Sequence, residues 1–155
     1  MTELTEIRHG RLRMNVPRTW RDTSELAFES PPQKLMADPR RPEAGKDYKN
    51  NVHVTFEDRA SHLTSPADYL DVIANTLKQQ GMVTVEIRRF ELGDSPTPRL
   101  GVERRVNTRD GWVRQVGAVS LYPDVAVVAT ASTIEPSDEE TLRELHELVG
   151  SIRLD

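Results

Sequence analysis

Apolar and polar residues alternate along several short stretches of the chain, with the period of two typical of strands that bury one face. The first stretch covers residues 12–16, whose apolar positions are Leu12, Met14 and Val16. Pro17 has no amide hydrogen to donate to a sheet, so this strand should end there. Trp20 follows in a turn, and we expect its ring to plug the core beside the first hairpin.

Residues 22–24 (Asp-Thr-Ser) carry side-chain oxygens that can accept hydrogen bonds from nearby backbone amides, which favours a turn. Leu26 and Phe28 then resume the alternation, so residues 14–28 predict two short strands joined by a turn around Trp20. Asp22 could also be interpreted as a base beside two hydroxyls, but turn capping is the favoured interpretation.

Two segments lack a clear pattern. Residues 1–9 are mostly polar and predict a frayed lead-in, although Leu4 and Ile7 could pack against a sheet edge. Residues 30–50 contain four prolines and Gly45. Loops of this length are uncommon inside compact domains unless they are functional or disordered. We therefore predict either a mobile excursion or a binding loop.

A strand and a helix follow. Residues 51–57 alternate, and the side chains expected to point inward are Val52, Val54 and Phe56. Ser65 is the predicted N-cap of the helix, with Pro66 in the first turn and Asp68 completing a capping box. The buried stripe of this helix should be Leu70, Ile73, Ala74 and Leu77. Gly81 should end it in a left-handed conformation.

The second half of the chain predicts an antiparallel meander of four strands. Their expected ranges are 83–87, 100–106, 112–121 and 125–131. Asp110-Gly111 is a strong hairpin signal because both residues tolerate a positive φ. The last of these strands is apolar on both faces, which predicts a central place in the sheet.

A second helix closes the chain. Ser137 is its predicted N-cap, Glu140 completes a capping box, and Gly150 ends it. Its buried stripe should be Leu142, Leu145, Leu148 and Val149. The predicted order is β-β-β-α-β-β-β-β-α, a single α+β domain over residues 1–155. Its antiparallel sheet should have six or seven strands, with the two helices packed mainly on one face.

Composition narrows the possible functions. A formal net charge of −4 argues against general nucleic-acid binding, which needs a basic surface. The chain has no cysteine, which excludes disulfides, thiolate metal sites and a cysteine nucleophile. Residues 1–10 contain neither the apolar core of a signal peptide nor a lipidated cysteine, and no later segment could span a bilayer. These features predict a cytoplasmic protein.

No motif points to catalysis. The four histidines lack the spacing of a metal site, and they are His9, His53, His62 and His146. No serine stands on a glycine-flanked elbow, and neither a phosphate-binding loop nor a dinucleotide fingerprint is present. We therefore expect no catalytic residue, no metal and no cofactor, and a protein that is not an enzyme.

Arginines crowd the meander, and they are Arg88, Arg89, Arg104, Arg105, Arg109 and Arg114. The favoured interpretation is a solvated face with cross-strand pairing to Glu86 and Glu103. The alternative is recognition of an acidic or polar partner.

Two helices cannot cover both faces of a wide sheet if they pack together on the face formed by Val54, Val85 and Val102. The opposite face would then stay open as the candidate partner-binding surface, and it would carry Arg13, His53, Thr55, Arg105, Arg114, Val116 and Ala118. An open face of mixed polarity suits a segment of another chain or a homodimer. It does not suit an enzyme cleft, which needs a closed pocket with convergent polar groups.

The chain resembles the DcrB-like, PsbP/Mog-like α+β superfamily over roughly residues 10–154. The carriers of the resemblance are residues 14–24 (MNVPRTWRDTS), residues 51–56 (NVHVTF), the helix that begins at Ser65-Pro66, and residues 149–154 (VGSIRL). The length and the lack of a signal and of cysteine look most like the Eag-type chaperones of bacterial type VI secretion.

That resemblance implies a small cytoplasmic adaptor, typically a dimer, which holds the hydrophobic N-terminal segment of a secreted effector against a sheet. Such a chaperone needs an open and partly apolar sheet face to shield its client from water. A small-ligand or regulatory domain of the same fold, with residues 30–50 as a lid, is the alternative.

Overall fold

The computed structural model describes residues 3–24, 27–29, 33–34, 47–48, 50–93, 95–109 and 111–154. The strands are β1 (Leu4–His9), β2 (Leu12–Pro17), β3 (Arg21–Ser24), β4 (Ala27–Glu29), β5 (Gln33–Lys34), β6 (Asp47–Tyr48), β7 (Asn51–Asp58), β8 (Thr84–Phe90), β9 (Arg99–Thr108), β10 (Gly111–Leu121), β11 (Val125–Ile134) and β12 (Arg153–Leu154). The helices are α1 (Pro66–Gln79) and α2 (Glu139–Ser151).

The main sheet has seven antiparallel strands in the order β3-β4-β7-β11-β10-β9-β8. A smaller sheet has the order β1-β2-β12, and β5 pairs with β6. The predicted α+β class with an antiparallel sheet and two helices is confirmed. The predicted central place of residues 125–131 is confirmed as well, because β11 has three strands on either side.

The two helices lie on opposite faces of the main sheet, so the prediction that they share one face is wrong. Val127 and Ala129 of β11 belong to the same buried cluster as Leu145 of α2. Val128, which points the other way, belongs to the cluster of Tyr69 in α1. We call these surfaces the α2 face and the α1 face. The reason is that β11 is apolar on both sides, and each side needs its own cover.

The N-terminal region also differs from the prediction. Residues 4–9 form β1, which pairs with β2 through a turn at Gly10, whose φ is 60°. Ile7 packs against the core, as the alternative for this segment foresaw, so the frayed lead-in is wrong. Residues 22–24 lie within β3 of the main sheet and do not form the predicted turn. The local preference of Asp, Thr and Ser for turns is overridden by pairing with β4.

The predicted caps are found at α1 and differ at α2. Ser65 and Asp68 form the predicted capping box of α1, and Gly81 has the expected positive φ of 79°. The N-cap of α2 is Asp138, not Ser137, because its carboxylate accepts a hydrogen bond from the Thr141 amide at 2.7 Å. A charged oxygen is the stronger acceptor, which moves the start of the helix by one residue. Gly150 lies inside α2 and does not end it.

Little of the loop at 30–50 falls within the described residues. Gln33–Lys34 and Asp47–Tyr48 form the short pair of β5 and β6, and Asn50 precedes β7. The other positions, and with them the lid hypothesis, lie outside the described residues.

Trp20 is buried, with 8% of its surface exposed, in the cluster that includes Met14 and Phe28. Its amide donates a hydrogen bond to the Pro17 carbonyl at 2.9 Å, which forms the predicted turn. The interpretation of this ring as a core plug is confirmed.

Trp20→Ala should lower the free energy of unfolding by about 3–5 kcal/mol, because the cavity left by the ring cannot collapse fully. Urea denaturation followed by circular dichroism measures the loss. Trp112→Ala is the matched control, and it should lose clearly less because Trp112 is only half-buried. Equal losses in the two variants would contradict the assignment of Trp20 to the core.

Candidate functional site

Strand β8 forms one edge of the main sheet, and within the described part of the chain its backbone pairs with β9 alone. Four large apolar residues at this edge are exposed, and they are Met82, Val83, Val85 and Ile87. Val85 was expected beneath a helix together with Val54, and this is wrong. The reason is that α2 packs mainly over β2, β10 and β11 and does not cover the edge.

A bulge interrupts the pairing of β8 with β9 between Glu86 and Arg88. Bulges of this kind are frequent at sheet edges, where they increase the twist and re-aim side chains. Ile87 therefore has no partner residue on β9 in this register. We call residues 82–87 the apolar edge. An edge that combines unpaired backbone groups with exposed apolar side chains favours pairing with another chain.

Beside the apolar edge, on the α2 face, lies a compact group of charges centred on Glu103. One carboxylate oxygen of Glu103 accepts from Arg114 Nη1 at 2.8 Å. The other oxygen lies 2.8 Å from His146 Nε2 and 3.7 Å from Arg88 Nη2. Glu135 extends the group, because its Oε1 accepts from Arg105 Nε at 2.7 Å and lies 3.5 Å from Arg114 Nε.

We call these six residues the arginine–glutamate cluster: Arg88, Glu103, Arg105, Arg114, Glu135 and His146. Arg114 is the residue that joins both carboxylates. Strand register explains the assembly, since Arg105 and Arg114 are directly opposite each other on β9 and β10. Pairing of the arginines with Glu103 was the favoured interpretation of the sequence, and the structure shows it. Glu86 is paired with Arg89 at 3.1 Å, but both residues lie on β8, so this ion pair is not the predicted cross-strand one.

Aromatic rings flank the cluster on both sides. The guanidinium of Arg105 lies 4.5 Å from the centroid of the Trp112 ring, and that of Arg88 lies 5.1 Å from the centroid of Phe90. Phe90 in turn packs at 4.7 Å against the His146 ring. Gly101 makes room for Phe90, because a Cβ at this position would collide with the ring. These contacts hold the cations over apolar surfaces and leave Arg88 the most exposed of the three arginines.

The electrostatics of Glu103 favour a permanent negative charge. Its side chain is only 9% exposed, and burial by itself raises the pKa. The hydrogen bond with His146 and the positive charge of Arg114 outweigh that effect and hold the pKa of Glu103 below its ordinary value. Three arginines face two glutamates, so the cluster carries a surplus of positive charge. Such an arrangement can attract an acidic group at Arg88, where the cluster meets solvent.

The structure divides the predicted partner-binding residues among several surfaces. Arg105 and Arg114 belong to the cluster, whereas Val116 and Ala118 are buried under α2. The remaining three are His53 and Thr55, exposed on the α1 face, and Arg13, which lies in β2 with its Nη1 3.6 Å from Glu6 Oε1. The prediction that one open face carries all seven residues is therefore wrong.

Three residues of the site carried no functional signal in the sequence. Glu135 lies between the last predicted strand and the predicted second helix, and His146 was considered only as a metal ligand. Phe90 lies beyond the predicted strand 83–87.

Other kinds of site find little support in the described part of the chain. No group of three or more histidine, aspartate or glutamate side chains there is arranged to hold a metal ion. A shallow cavity of about 350 Å³ lies at the far end of the sheet, lined by residues that include Arg59, Pro98 and Tyr122. Among the described residues, no helix is both long and apolar enough to cross a bilayer.

Comparison with known proteins identifies the fold. No protein-family model and no curated protein sequence matches the chain. The solution structure of cyanobacterial PsbP (CyanoP) from Synechocystis sp. PCC 6803 matches with a TM-score of 0.64 and 14% identity. The match covers 100% of this chain and 94% of CyanoP. The fold is PsbP-like.

A second solved structure is similar over most of its length. It is the crystal structure of PA94 from Pseudomonas aeruginosa, a protein of unknown function, with a TM-score of 0.48 and 14% identity. The match covers 91% of this chain and 92% of PA94. At 14% identity the likeness to CyanoP concerns the fold alone.

Glu103→Gln should lower the free energy of unfolding at pH 7 by about 2–3 kcal/mol, because it removes the carboxylate closest to Arg114 and leaves that guanidinium only the longer contact with Glu135. The pKa of Glu103 is lower in the folded state than in the unfolded chain, whose value is about 4.3. The stabilisation by the Glu103 charge is therefore fully present above the pKa of the unfolded chain. It is lost as the pH falls through the lower pKa of the folded state, because the unfolded chain takes up the proton first. Urea titrations between about pH 7 and pH 3 should show the difference between wild type and variant shrinking.

Glu147→Gln is the matched control, because Glu147 is exposed on the same helix as His146. Its stability should follow that of the wild type within about 0.5 kcal/mol at every pH. A wild-type advantage over Glu103→Gln that does not change with pH would show that the charge of Glu103 is not what stabilises the cluster.

Proposed function

We propose that the protein is a non-enzymatic chaperone or adaptor that binds an apolar segment of a partner protein at the apolar edge. The observation that carries this proposal is the exposure of Val85 and Ile87 on a strand whose outer side pairs with no other strand that the structure describes. The resemblance to Eag-type chaperones suggests the client, the hydrophobic N-terminal segment of a secreted type VI effector.

Binding would proceed by strand addition. An extended client segment would hydrogen-bond to the free side of β8, which supplies affinity independent of sequence. Alternate side chains of the client would pack on Val85 and Ile87, removing apolar surface from water on both partners. Arg88, at the solvent-facing side of the arginine–glutamate cluster, would attract a carboxylate of the client and select its register.

The non-enzymatic part of the proposal rests on how the cluster uses its acids and bases. Glu103 and His146 bond to each other, and Glu103 is neutralised further by Arg114. Among the described contacts of these residues, no hydroxyl group is positioned for activation as a nucleophile. The arrangement supports a structural and electrostatic role, with Arg88 available to a partner.

A small-ligand domain remains the second candidate, and the cavity near Tyr122 is the place to consider for it. Arg59 is the charged residue that lines this cavity, and its Nη1 already donates a hydrogen bond to the Tyr122 carbonyl at 2.7 Å. Ligand pockets need several convergent polar groups in an enclosed space. This cavity has one charged lining residue, so the adaptor is the better supported proposal.

Val85→Lys should abolish client binding without unfolding the protein, because the new charge lies where the client would pack and the position is already 46% exposed. The test co-expresses the protein with the hydrophobic N-terminal segment of a type VI effector fused to a soluble reporter. Wild type should raise the soluble fraction of the fusion, and Val85→Lys should weaken affinity at least about tenfold, or 1.4 kcal/mol.

Val72→Lys supplies the matched control, since Val72 is 44% exposed but lies on α1. It should bind like the wild type. No solubilisation by the wild type, or an equal loss in both variants, would overturn the proposal. A different outcome is that the free protein sediments as a dimer that Val85→Lys dissociates, while the wild type binds no client. That result would show that the edge serves self-association.

A further inference from the structure

Arg104 on the α1 face is buried, and its guanidinium forms no ion pair with any residue that the structure describes. Only 8% of its surface is exposed. Within the described residues, no carboxylate lies within ion-pair distance of its guanidinium, and no acceptor receives a hydrogen bond from it. Arginine carries five N–H donors, and buried charges are ordinarily paired. A guanidinium in this state is a strong and unused anion receptor.

The neighbouring acids do not compensate Arg104. Glu86 stands opposite it on β8, but its Oε1 accepts from Arg89 Nε at 3.1 Å. Arg89 also donates to Asp71 of α1 at 2.7 Å. Burial lowers the pKa of Arg104, and the charge of Glu86 offsets this only in part, while Arg89 adds to it. Both nearby carboxylates therefore serve Arg89.

Gly117 determines where the guanidinium lies. A Cβ at Gly117 would stand 3.4 Å from Arg104 Nη2 and 3.3 Å from Val102 Cγ1. The side chain of Arg104 thus crosses β10 over the one position in that strand segment where a side chain is missing. Gly117 is opposite Thr130 on β11, and Thr130 is opposite His53 on β7.

Polar side chains surround this position on the same face. Gln115 is directly opposite Arg104, and Thr130 follows Gly117 in the next strand. Opposite residues in antiparallel strands have Cβ atoms about 5 Å apart, so amide and hydroxyl donors lie within reach of a ligand over Gly117. Because α1 packs over β8, β9 and β10, the side towards β7 is open, and His53 is exposed there.

We propose that Arg104, Gln115 and Thr130 form a binding site over Gly117 for a small oxyanion, either phosphate or carboxylate. The planar guanidinium offers two parallel N–H groups to such a ligand. The hydroxyl of Thr130 and the amide of Gln115 add neutral donors. The site lies on the face opposite the arginine–glutamate cluster and does not depend on the proposed adaptor function.

The experiment titrates the full chain at pH 7 with sodium phosphate or, in a second arm, sodium acetate, at constant ionic strength set with sodium chloride. The wild-type melting temperature should rise with anion concentration, and the NMR signal of the Arg104 Nε–Hε group should shift and saturate. Arg104→Met should weaken the affinity for the anion at least about tenfold. The anion that binds with the higher affinity, phosphate or acetate, identifies the class of ligand as phosphate or carboxylate.

Arg143→Met is the matched control, because it removes the same charge from an exposed position on α2 and should respond like the wild type. Thr130→Val keeps the shape of the side chain and should weaken binding roughly fivefold, which tests the site even if Arg104→Met fails to fold. No response of the wild type beyond that to chloride, or an undiminished response in Thr130→Val and Arg104→Met, would overturn the proposal.

Discussion

The burial of β11 on both faces is the constraint on which the rest of the molecule depends. Its side chains alternate between two clusters, with Ala129 facing α2 and Val128 facing α1. A strand that is apolar on both sides requires two separate covers, because water on either face would expose an unbroken row of small apolar groups. Helix α2 and the sheet β1-β2-β12 cover one face, and helix α1 covers the other. Neither cover reaches across all seven strands.

The charged run at 103–105 follows from the same geometry. Successive residues of a strand point to opposite faces, so Glu103 and Arg105 enter the α2 face while Arg104 enters the α1 face. On the first face Glu103 meets Arg114 and His146, and its buried charge is satisfied. On the second face Arg104 lies near Gly117, and none of the described carboxylates forms an ion pair with it. One run of three residues therefore produces both a closed ionic cluster and an open anion receptor.

Local patterns were sufficient for elements whose signals lie within a few residues. The capping box at Ser65 predicted the start of α1, and the two-sided apolar pattern of β11 predicted its central place. The choice of face for each helix was not accessible, since an apolar stripe shows that a helix is buried but not against which surface. The pairing of β1 and β12 with β2 is likewise a contact between distant segments. The seven candidate partner-binding residues do not share one face for this reason, because they were assigned to it before the helices had been placed.

The concentration of exposed apolar side chains at one edge is the feature that supports the proposed docking surface. Seven large apolar residues of the described chain are exposed, and four of them fall within residues 82–87. Scattered exposed apolar residues need no explanation, whereas a contiguous group on a strand with free backbone groups carries a risk of aggregation. The bulge at Ile87 and the charges of Glu86 and Arg88 limit that risk without removing the apolar groups. An edge that is protected against indiscriminate pairing while it remains apolar supports the proposal of a selected partner.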